Sequence, residues 1–401
     1  MPNDSPFQTR PLPDRPDLRH LKDEAWSLLN AGHAASLAEA QFQVARQYGF
    51  ASWPRLKEHV DSLHEIGMLK HAIDTNDLGA VQTLMTRNPA LHRAPLGYAK
   101  NGPLTWVAEC RIPWEPPGPV RLAMAQWMID HGSDVHQGGD GPLMRAALYD
   151  HRIPMIELLV RNGADVNARW NGGFPVICAS CETVQPRALR WLLEHGASPV
   201  YDGLGLDNAL DYLLGTYVRS AQLGTCIEIL LRAGCVSRRA EPAVLDLLRG
   251  RLDLLKARLE ADPELVMRRF GDLDFGNTAE RRLLLQGATL LHVAAEFGNV
   301  KAAQLLLAHG AQVNARAEVS VDGTGGQTPI FHAATQFGDF GLETTRYLVE
   351  SGAGLGMRAK LPGHYERPEE TVECTPLGFA RLFPGSENQT VAFLRSVGAP
   401  E

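Results

Sequence analysis

The sequence has no long apolar run, no excess of basic residues and no secretion signal, and each absence excludes a class of function. No stretch of about 18 uninterrupted apolar residues occurs, and residues 1–16 contain no apolar core of a signal peptide, so we expect neither a membrane span nor secretion. The net charge of −7 argues against nucleic-acid binding, which needs a basic face. With 44% hydrophobic and 21% charged residues, the composition predicts a soluble globular protein.

The sequence also lacks the motifs of common enzymes and metal sites. It contains no phosphate-binding loop of the form G-x-x-x-x-G-K-[ST], no G-x-S-x-G and no H-E-x-x-H. The six cysteines are scattered at positions 110, 178, 181, 226, 235 and 374, which predicts reduced thiols in a cytoplasmic protein. The one C-x-x-C spacing, Cys178 to Cys181, lies in a predicted helix without further ligands, so we expect no metal and no cofactor.

One stretch, residues 286–316, sets the pattern for most of the chain. It reads QGATLLHVAAEFGNVKAAQLLLAHGAQVNAR, which predicts a short helix, a turn at Gly298 and a second helix with one apolar face. Gly310 is expected to end the second helix, because a left-handed conformation costs glycine least. A helical hairpin this short cannot bury its own apolar face, so similar copies should flank it.

The T-L-L-H-V-A of this stretch resembles the T-P-L-H-x-A signature of ankyrin repeats. Glycines that end the second helix fall at 132, 163, 196 and 234, at intervals of 31, 33 and 38 residues, and again at 310, 352 and 398. The resemblance implies an all-α ankyrin-repeat solenoid of about nine helix-turn-helix repeats with short β-hairpin fingers. It also implies structural roles for His292, Gly298 and Gly310, with His292 bridging the backbone of neighbouring loops.

Three segments are predicted along the chain: a flexible leader at 1–16, a helical N-terminal cap at 17–66, and the repeats at 67–401. The cap contains AQFQVARQYGFASWPRLKEHV, which resembles a segment common at the start of bacterial ankyrin-repeat proteins. Insertions lengthen several connections, at 112–120, 268–285, 317–326 and 360–373. They either carry function at the fingers or are simply tolerated insertions.

The candidate binding residues come from the ends of the first helices. In each repeat, the residue after T-P-L-H and the pair after the two alanines should face the concave groove; one such set is Cys178, Cys181 and Glu182. Aromatic rings and charges there suit binding, although each could instead be solvated or packed on its neighbour. The predicted binding residues are Trp106, Glu109, Arg145, Tyr149, Tyr212, Glu296, Phe297, His332 and Gln336.

Two functions follow from these positions. The resemblance and the missing catalytic motifs imply a non-catalytic protein that recognises a partner protein through its groove and finger loops. The alternative is a small-molecule or enzymatic site in the groove, with Glu109, Asp211 and His332 as acid–base candidates. An open groove would favour the first function, and a closed cavity with convergent polar groups the second.

Overall fold

The structure, a computed structural model, is mostly helical and describes 9–13, 16–96, 101–138, 141–170, 173–201, 208–271, 273, 281, 283–363, 370–383 and 387–401. It divides into two compact units, Met1–Pro142 (unit 1) and Leu143–Glu401 (unit 2). None of the helices in these described ranges is both long and apolar enough to cross a bilayer.

Unit 1 contains the cap and the first helix pairs. Its α-helices are α1 (Leu18–Asn30), α2 (Leu37–Gln47), α3 (Trp53–Asp74), α4 (Leu78–Arg87), α5 (Pro103–Glu109) and α6 (Pro119–Asp130). Leu21, Val44 and Leu56 join one apolar core shared by α1, α2 and the first half of α3. The predicted boundary between cap and repeats, at 66/67, falls inside α3, because nothing in that stretch stops a helix.

Residues 9–13 belong to the predicted flexible leader, and in the structure they lie on the cap. The Arg10 backbone N–H donates to the Gln47 carbonyl at 2.8 Å, and the Arg10 guanidinium lies 4.3 Å from the centre of the Tyr48 ring. Leu12 packs against the cap core. This short segment therefore covers apolar surface that α1 and α2 leave open.

Unit 2 continues the helix pairs. Its α-helices are α7 (Pro142–Ala147), α8 (Ile153–Arg161), α9 (Ile177–Glu182), α10 (Pro186–Glu194), α11 (Ala209–Leu214), α12 (Leu223–Arg232), α13 (Pro242–Leu248), α14 (Leu252–Ala261), α15 (Leu290–Glu296), α16 (Val300–Ala308), α17 (Pro329–Ala334), α18 (Leu342–Glu350), α19 (Pro376–Ala380) and α20 (Gln389–Ser396). Counted from α3–α4 to α19–α20, the described residues hold nine consecutive pairs, in line with the repeat count from the sequence.

Local sequence explains where the second helix of each pair begins and ends. The glycines that follow the second helices, such as Gly163 and Gly310, have φ of 92° and satisfy the left-handed C′ position. Asn299 caps α16 by accepting the Ala302 N–H at 3.0 Å. Helix α10 has no such residue of its own, and Asp150 of the preceding repeat accepts the Ala188 N–H at 2.7 Å instead. Capping thus ties neighbouring repeats together.

The connections between helix pairs carry short β structure. Strands β1 (Ala359–Pro362) and β2 (Thr371–Cys374) form an antiparallel hairpin, with Leu361 opposite Val372. The insertion at 317–326 lies against it, since the Gly325 N–H donates to the Lys360 carbonyl at 2.8 Å. A single β-bridge between Gly325 and Lys360 therefore joins the insertion at 317–326 to the hairpin.

Candidate binding surface

A row of side chains lies near the C-terminal ends of the first helices of unit 2, on the helices and on the connections that follow them, and we call it the helix-end surface. It comprises Tyr149, Glu182, Tyr212, Tyr217, Arg219, Glu296, Phe297 and His332. Glu182 is the last residue of α9 and Glu296 the last residue of α15, and each lies two residues before a turn residue of positive φ, Val184 or Gly298. Counted back from that turn, the two glutamates occupy equivalent positions at the helix end. The residues around them nevertheless differ.

Glu296 lies at the centre of a buried group of polar side chains, the Glu296 cluster: Arg219, Arg281, Glu296 and His332. The Arg281 guanidinium donates to both carboxylate oxygens at 2.9 Å, and Arg219 Nη2 donates to Oε1 at 2.6 Å. His332 Nδ1 lies 2.7 Å from Oε2. The side chains of Glu296 and His332 are 0% exposed, and that of Arg281 is 1% exposed. Charge-assisted hydrogen bonds thus replace the water that burial removes.

The partners of Glu296 decide whether its buried carboxylate is ionised. Burial alone would raise the pKa of Glu296, but Arg281, Arg219 and His332 outweigh it and hold the pKa at about 2. Burial lowers the pKa of His332, so the ring is neutral near pH 7 and its Nδ1–H donates to Glu296. The cluster therefore contains an ionised carboxylate and a neutral imidazole.

His332 and Gln336 have buried acceptors that the hydrogen bonds of the described residues do not satisfy. His332 Nε2 and Gln336 Oε1 have no partner there, while Gln336 Nε2 donates to the His332 carbonyl at 2.7 Å. Phe331, and not His332, occupies the position of His292 within its repeat, which leaves the Thr328 hydroxyl without the ring nitrogen that Thr289 bonds at 2.9 Å. His332, one residue later, contacts Glu296 of the preceding repeat.

Glu182 is surrounded by tyrosines, and the Glu182 cluster comprises Glu182, Phe174, Tyr212 and Tyr217. The Tyr217 hydroxyl donates to Glu182 Oε1 at 3.1 Å, and the Tyr212 hydroxyl lies 3.4 Å from Oε2. The Phe174 ring meets that of Tyr212 edge to face, with centroids 4.9 Å apart. Tyr217 is 46% exposed. Burial, with the charge and hydrogen bond of Glu182, raises the pKa of Tyr217 to about 12.

The other predicted binding residues of unit 2 lie beside these two clusters. Tyr149 and Phe297 are half-buried, and each ring receives a guanidinium: Arg152 lies 4.7 Å from the Tyr149 centroid, and Arg219 lies 4.5 Å from that of Phe297. Arg145 is half-buried, and its carbonyl accepts a hydrogen bond from Arg152 at 2.8 Å. The surface thus already binds arginine side chains of the protein itself.

In unit 1, two predicted residues lie on α5. Trp106 is 7% exposed; its indole N–H donates to Asp74 Oδ1 at 2.7 Å, and Lys70 Nζ lies 4.3 Å from its ring centroid. Glu109 is 5% exposed and lies 3.5 Å from Arg111 Nε. Neither presents a large surface to a second protein in this structure.

The acid–base candidates are all buried. Glu109 pairs with Arg111, and His332 pairs with Glu296. Asp211 accepts the Ser237 hydroxyl at 2.6 Å and the Arg238 N–H at 3.2 Å, which fixes the loop after α12. All three acid–base candidates thus take part in internal contacts.

His292, Gly298 and Gly310, the predicted structural residues, lie within or beside α15 and α16. The Thr289 N–H donates to His292 Nδ1 at 3.1 Å, and Nε2 lies 3.2 Å from the Gln327 carbonyl in the next finger. Burial is the main reason that the pKa of His292 falls to about 3, so the ring stays neutral. Gly298 has φ of 58° and approaches Phe340 closely.

Several residues of the two clusters are absent from the predicted set. Arg281 lies in the insertion at 268–285, predicted to lengthen a finger, and Leu283 and Leu285 beside it are fully buried. The run of leucines at 283–285 was the available signal, because a solvated loop rarely carries one. Arg219 and Tyr217 lie in the lengthened connection after α11, where the repeat pattern assigns no position.

The C-x-x-C cysteines are free and buried thiols of α9. Burial raises the pKa of Cys178 to about 12, so little thiolate exists near neutral pH. Among the described residues, no group of three or more histidines, cysteines and carboxylates could hold a metal ion.

Comparison with family models identifies two parts of the chain. A model described as ankyrin repeats (3 copies) matches 249–359, and one described as ankyrin repeat matches 138–171. No curated protein matches the chain significantly. The Glu296 cluster, apart from Arg219, lies within the first match, whereas the Glu182 cluster lies between the two.

Proposed function

Because the chain is an ankyrin-repeat protein, and such repeats generally mediate protein–protein interaction, we propose that it binds a partner protein through the helix-end surface of unit 2 and its finger loops. The observation that carries this proposal is the row of rings that stays accessible beside buried charges. Tyr217 is 46% exposed, while Tyr149, Tyr212 and Phe297 are half-buried. Rigid aromatic side chains in such positions supply most of the binding energy in many interfaces.

The fingers extend the same proposal. Val319 and Val321, in the insertion at 317–326, are exposed apolar side chains, and Val321 is exposed over its whole surface. The Lys360 ammonium donates to the Asp322 carbonyl at 3.1 Å, which fixes the loop that carries them. A finger held in this way loses little conformational freedom when it binds.

A capture experiment tests the proposal. The purified chain is immobilised, exposed to lysate, and the bound proteins are quantified for wild type, Tyr149→Ala/Tyr217→Ala, and Val321→Ser. Trp191→Ala is the matched control, because Trp191 is a half-buried ring on α10, outside the helix-end surface. We expect the amount of a specific captured partner to fall at least about tenfold for the double variant and to stay unchanged for the control.

A second apolar surface provides the contradicting outcome. Unit 1 has a groove of about 940 Å³ between α3 and α4, lined by residues that include Leu63 and Met68. If Met68→Asp removes the captured partner while Tyr149→Ala/Tyr217→Ala does not, the helix-end surface is not the binding site.

A further inference from the structure

Two glutamates at one repeat position differ in what they bind. Glu296 and Glu182 each end a first helix of unit 2. The Glu296 carboxylate receives the Arg219 guanidinium at 2.6 Å, and that guanidinium also lies 4.5 Å from the Phe297 centroid. One repeat therefore shows which group this position accepts: a guanidinium between a carboxylate and an aromatic ring.

Glu182 has the carboxylate and the rings without the cation. Its partners are the hydroxyls of Tyr217 at 3.1 Å and Tyr212 at 3.4 Å, both neutral donors. Within the residues that the structure describes, no lysine, arginine or histidine pairs with the Glu182 carboxylate. A half-buried carboxylate with only neutral donors keeps its negative charge unbalanced, which favours a cation close to it.

The surroundings of Glu182 suit a guanidinium. A carboxylate has roughly four acceptor positions, and two tyrosine hydroxyls use only part of them. Phe174 and Tyr212 lie edge to face, 4.9 Å apart, and the faces of such rings attract cations. Arginine binds this combination better than lysine, because its planar fork can donate twice to one carboxylate and stack on a ring.

We propose that the Glu182 cluster is a guanidinium-binding site that takes an arginine side chain of the partner protein. This inference rests on the proposed function, since it assigns the chemistry that the helix-end surface recognises. The protein's own arginines supply the precedent: Arg152 lies over Tyr149 and Arg219 over Phe297. At Glu182 the arginine comes from the other molecule.

Titration with small probes tests the site on the full chain. Nα-acetyl-arginine-N-methylamide is added to protein with labelled tyrosine rings, and NMR follows the Tyr212 and Tyr217 signals, with Tyr217→Phe used to assign the latter. We expect saturable shifts of both signals at millimolar probe. The lysine analogue should bind more weakly, and the neutral citrulline analogue at least about tenfold more weakly, because it lacks the positive charge.

Matched variants separate a site from general attraction between charges. Glu182→Gln keeps an acceptor for the tyrosines and removes the charge, so the dissociation constant should rise at least about tenfold. Glu194→Gln makes the same charge change at an exposed position on α10 and should leave it unchanged. Equal constants for both variants, or equal binding of the citrulline analogue, would overturn the proposal.

The source of the guanidinium is tested with a peptide of glycine and serine around one central arginine. Binding at lower concentration than the amino-acid analogue supports a partner protein, and equal affinity overturns the partner assignment in favour of a small guanidinium compound. The two proposals can fail separately. If Tyr149→Ala/Tyr217→Ala reduces capture of the partner, while Glu182→Gln leaves the affinity for the arginine probe unchanged, only this inference fails. If the probe binds at Glu182 but Tyr149→Ala/Tyr217→Ala does not reduce capture, the proposed function fails.

Discussion

Glu296 and Glu182 each lie at the end of a first helix, but their side chains have different surroundings. Glu296 is completely buried among two arginines and a histidine, whereas Glu182 is half-buried among tyrosines. The repeat itself sets only the backbone position of the carboxylate. What surrounds it comes from the connections, since Arg281 and Arg219 both lie outside the first helices. One position therefore serves internal stability in one repeat and remains available to a ligand in the other.

The largest expected difference between the two glutamates is in stability. Glu296→Gln leaves two buried guanidinium groups without their counter-charge, and we expect the free energy of unfolding to fall by about 3–5 kcal/mol. Glu182→Gln, which keeps an acceptor for the tyrosine hydroxyls, should cost no more than about 1 kcal/mol. Urea unfolding followed by circular dichroism compares them, and equal losses would remove the distinction.

Acid should weaken the Glu296 region because it contains buried neutral histidines. The pKa of His292 is about 3 in the folded chain and about 6.5 when unfolded, so between those values only the unfolded chain binds the proton. The free energy of unfolding should then fall with a slope that approaches about 1.4 kcal/mol per unit of decreasing pH, for a total of about 2 kcal/mol from pH 6.5 to 4.5. His292→Gln should reduce this slope, while His195→Gln, at an exposed position, should not. An unchanged slope in both variants would contradict the assignment.

The turn that follows each glutamate allows a comparison of backbone strain, with an expected effect on stability of intermediate size. Gly298 and Val184 occupy the same turn position with φ of 58° and 57°. A Cβ at Gly298 would lie 2.8 Å from the Phe340 carbonyl oxygen, so Gly298→Ala should cost about 2 kcal/mol. Gly310→Ala, where a Cβ meets no atom within 4 Å, should cost less.

Val184 already adopts this left-handed conformation, so we expect its backbone to be strained in the folded protein. Val184→Gly relieves about 1–3 kcal/mol of backbone strain and loses about as much from the buried side chain, so the net change in thermal stability should be small. A large loss of stability would show that the packing energy of the Val184 side chain exceeds the strain energy of its backbone.

The smallest expected effect is electrostatic. The pKa of Tyr217 is about 12, raised first by burial and then by Glu182. Glu182→Gln should lower the pKa of Tyr217, though not to its ordinary value, because the burial remains. NMR titration of the labelled ring measures this change, with Glu194→Gln as the control. A pKa unaffected by Glu182→Gln would place the tyrosine–carboxylate contact in doubt.

The repeat pattern predicted most of the fold. Helical spacing and the regular glycines indicated the helix pairs, because both follow from local backbone preferences. Burial at the helix-end surface was not predictable in the same way. The columns predicted that His332 and Glu296 face an open groove. In the structure Arg281, which lies in an insertion, contacts Glu296, and both predicted residues are buried. Such a contact depends on the path of a long connection, which no periodicity encodes.

The columns of the repeat selected Tyr149 and Tyr212, which the structure places on the helix-end surface, and Glu182 stood in a column without being selected. Trp106 also departs from the pattern, but its indole is bound by Asp74 and covered by Lys70. A bulky residue at a groove position thus signals either recognition or packing, and only the neighbouring repeat decides which.

The Arg219–Glu296 pair joins residues 77 positions apart and passes over the whole pair α13–α14. Repeat arrays normally unravel at the contacts between nearest neighbours, one repeat after another. Here a buried charge pair links repeats that are not adjacent. The repeats from α11 to α16 therefore cannot separate at either end of the pair α13–α14 unless the Arg219–Glu296 contact breaks. Pulled from its ends in optical tweezers, the chain should release this segment in one extension step, and Arg219→Ala should divide that step into smaller ones.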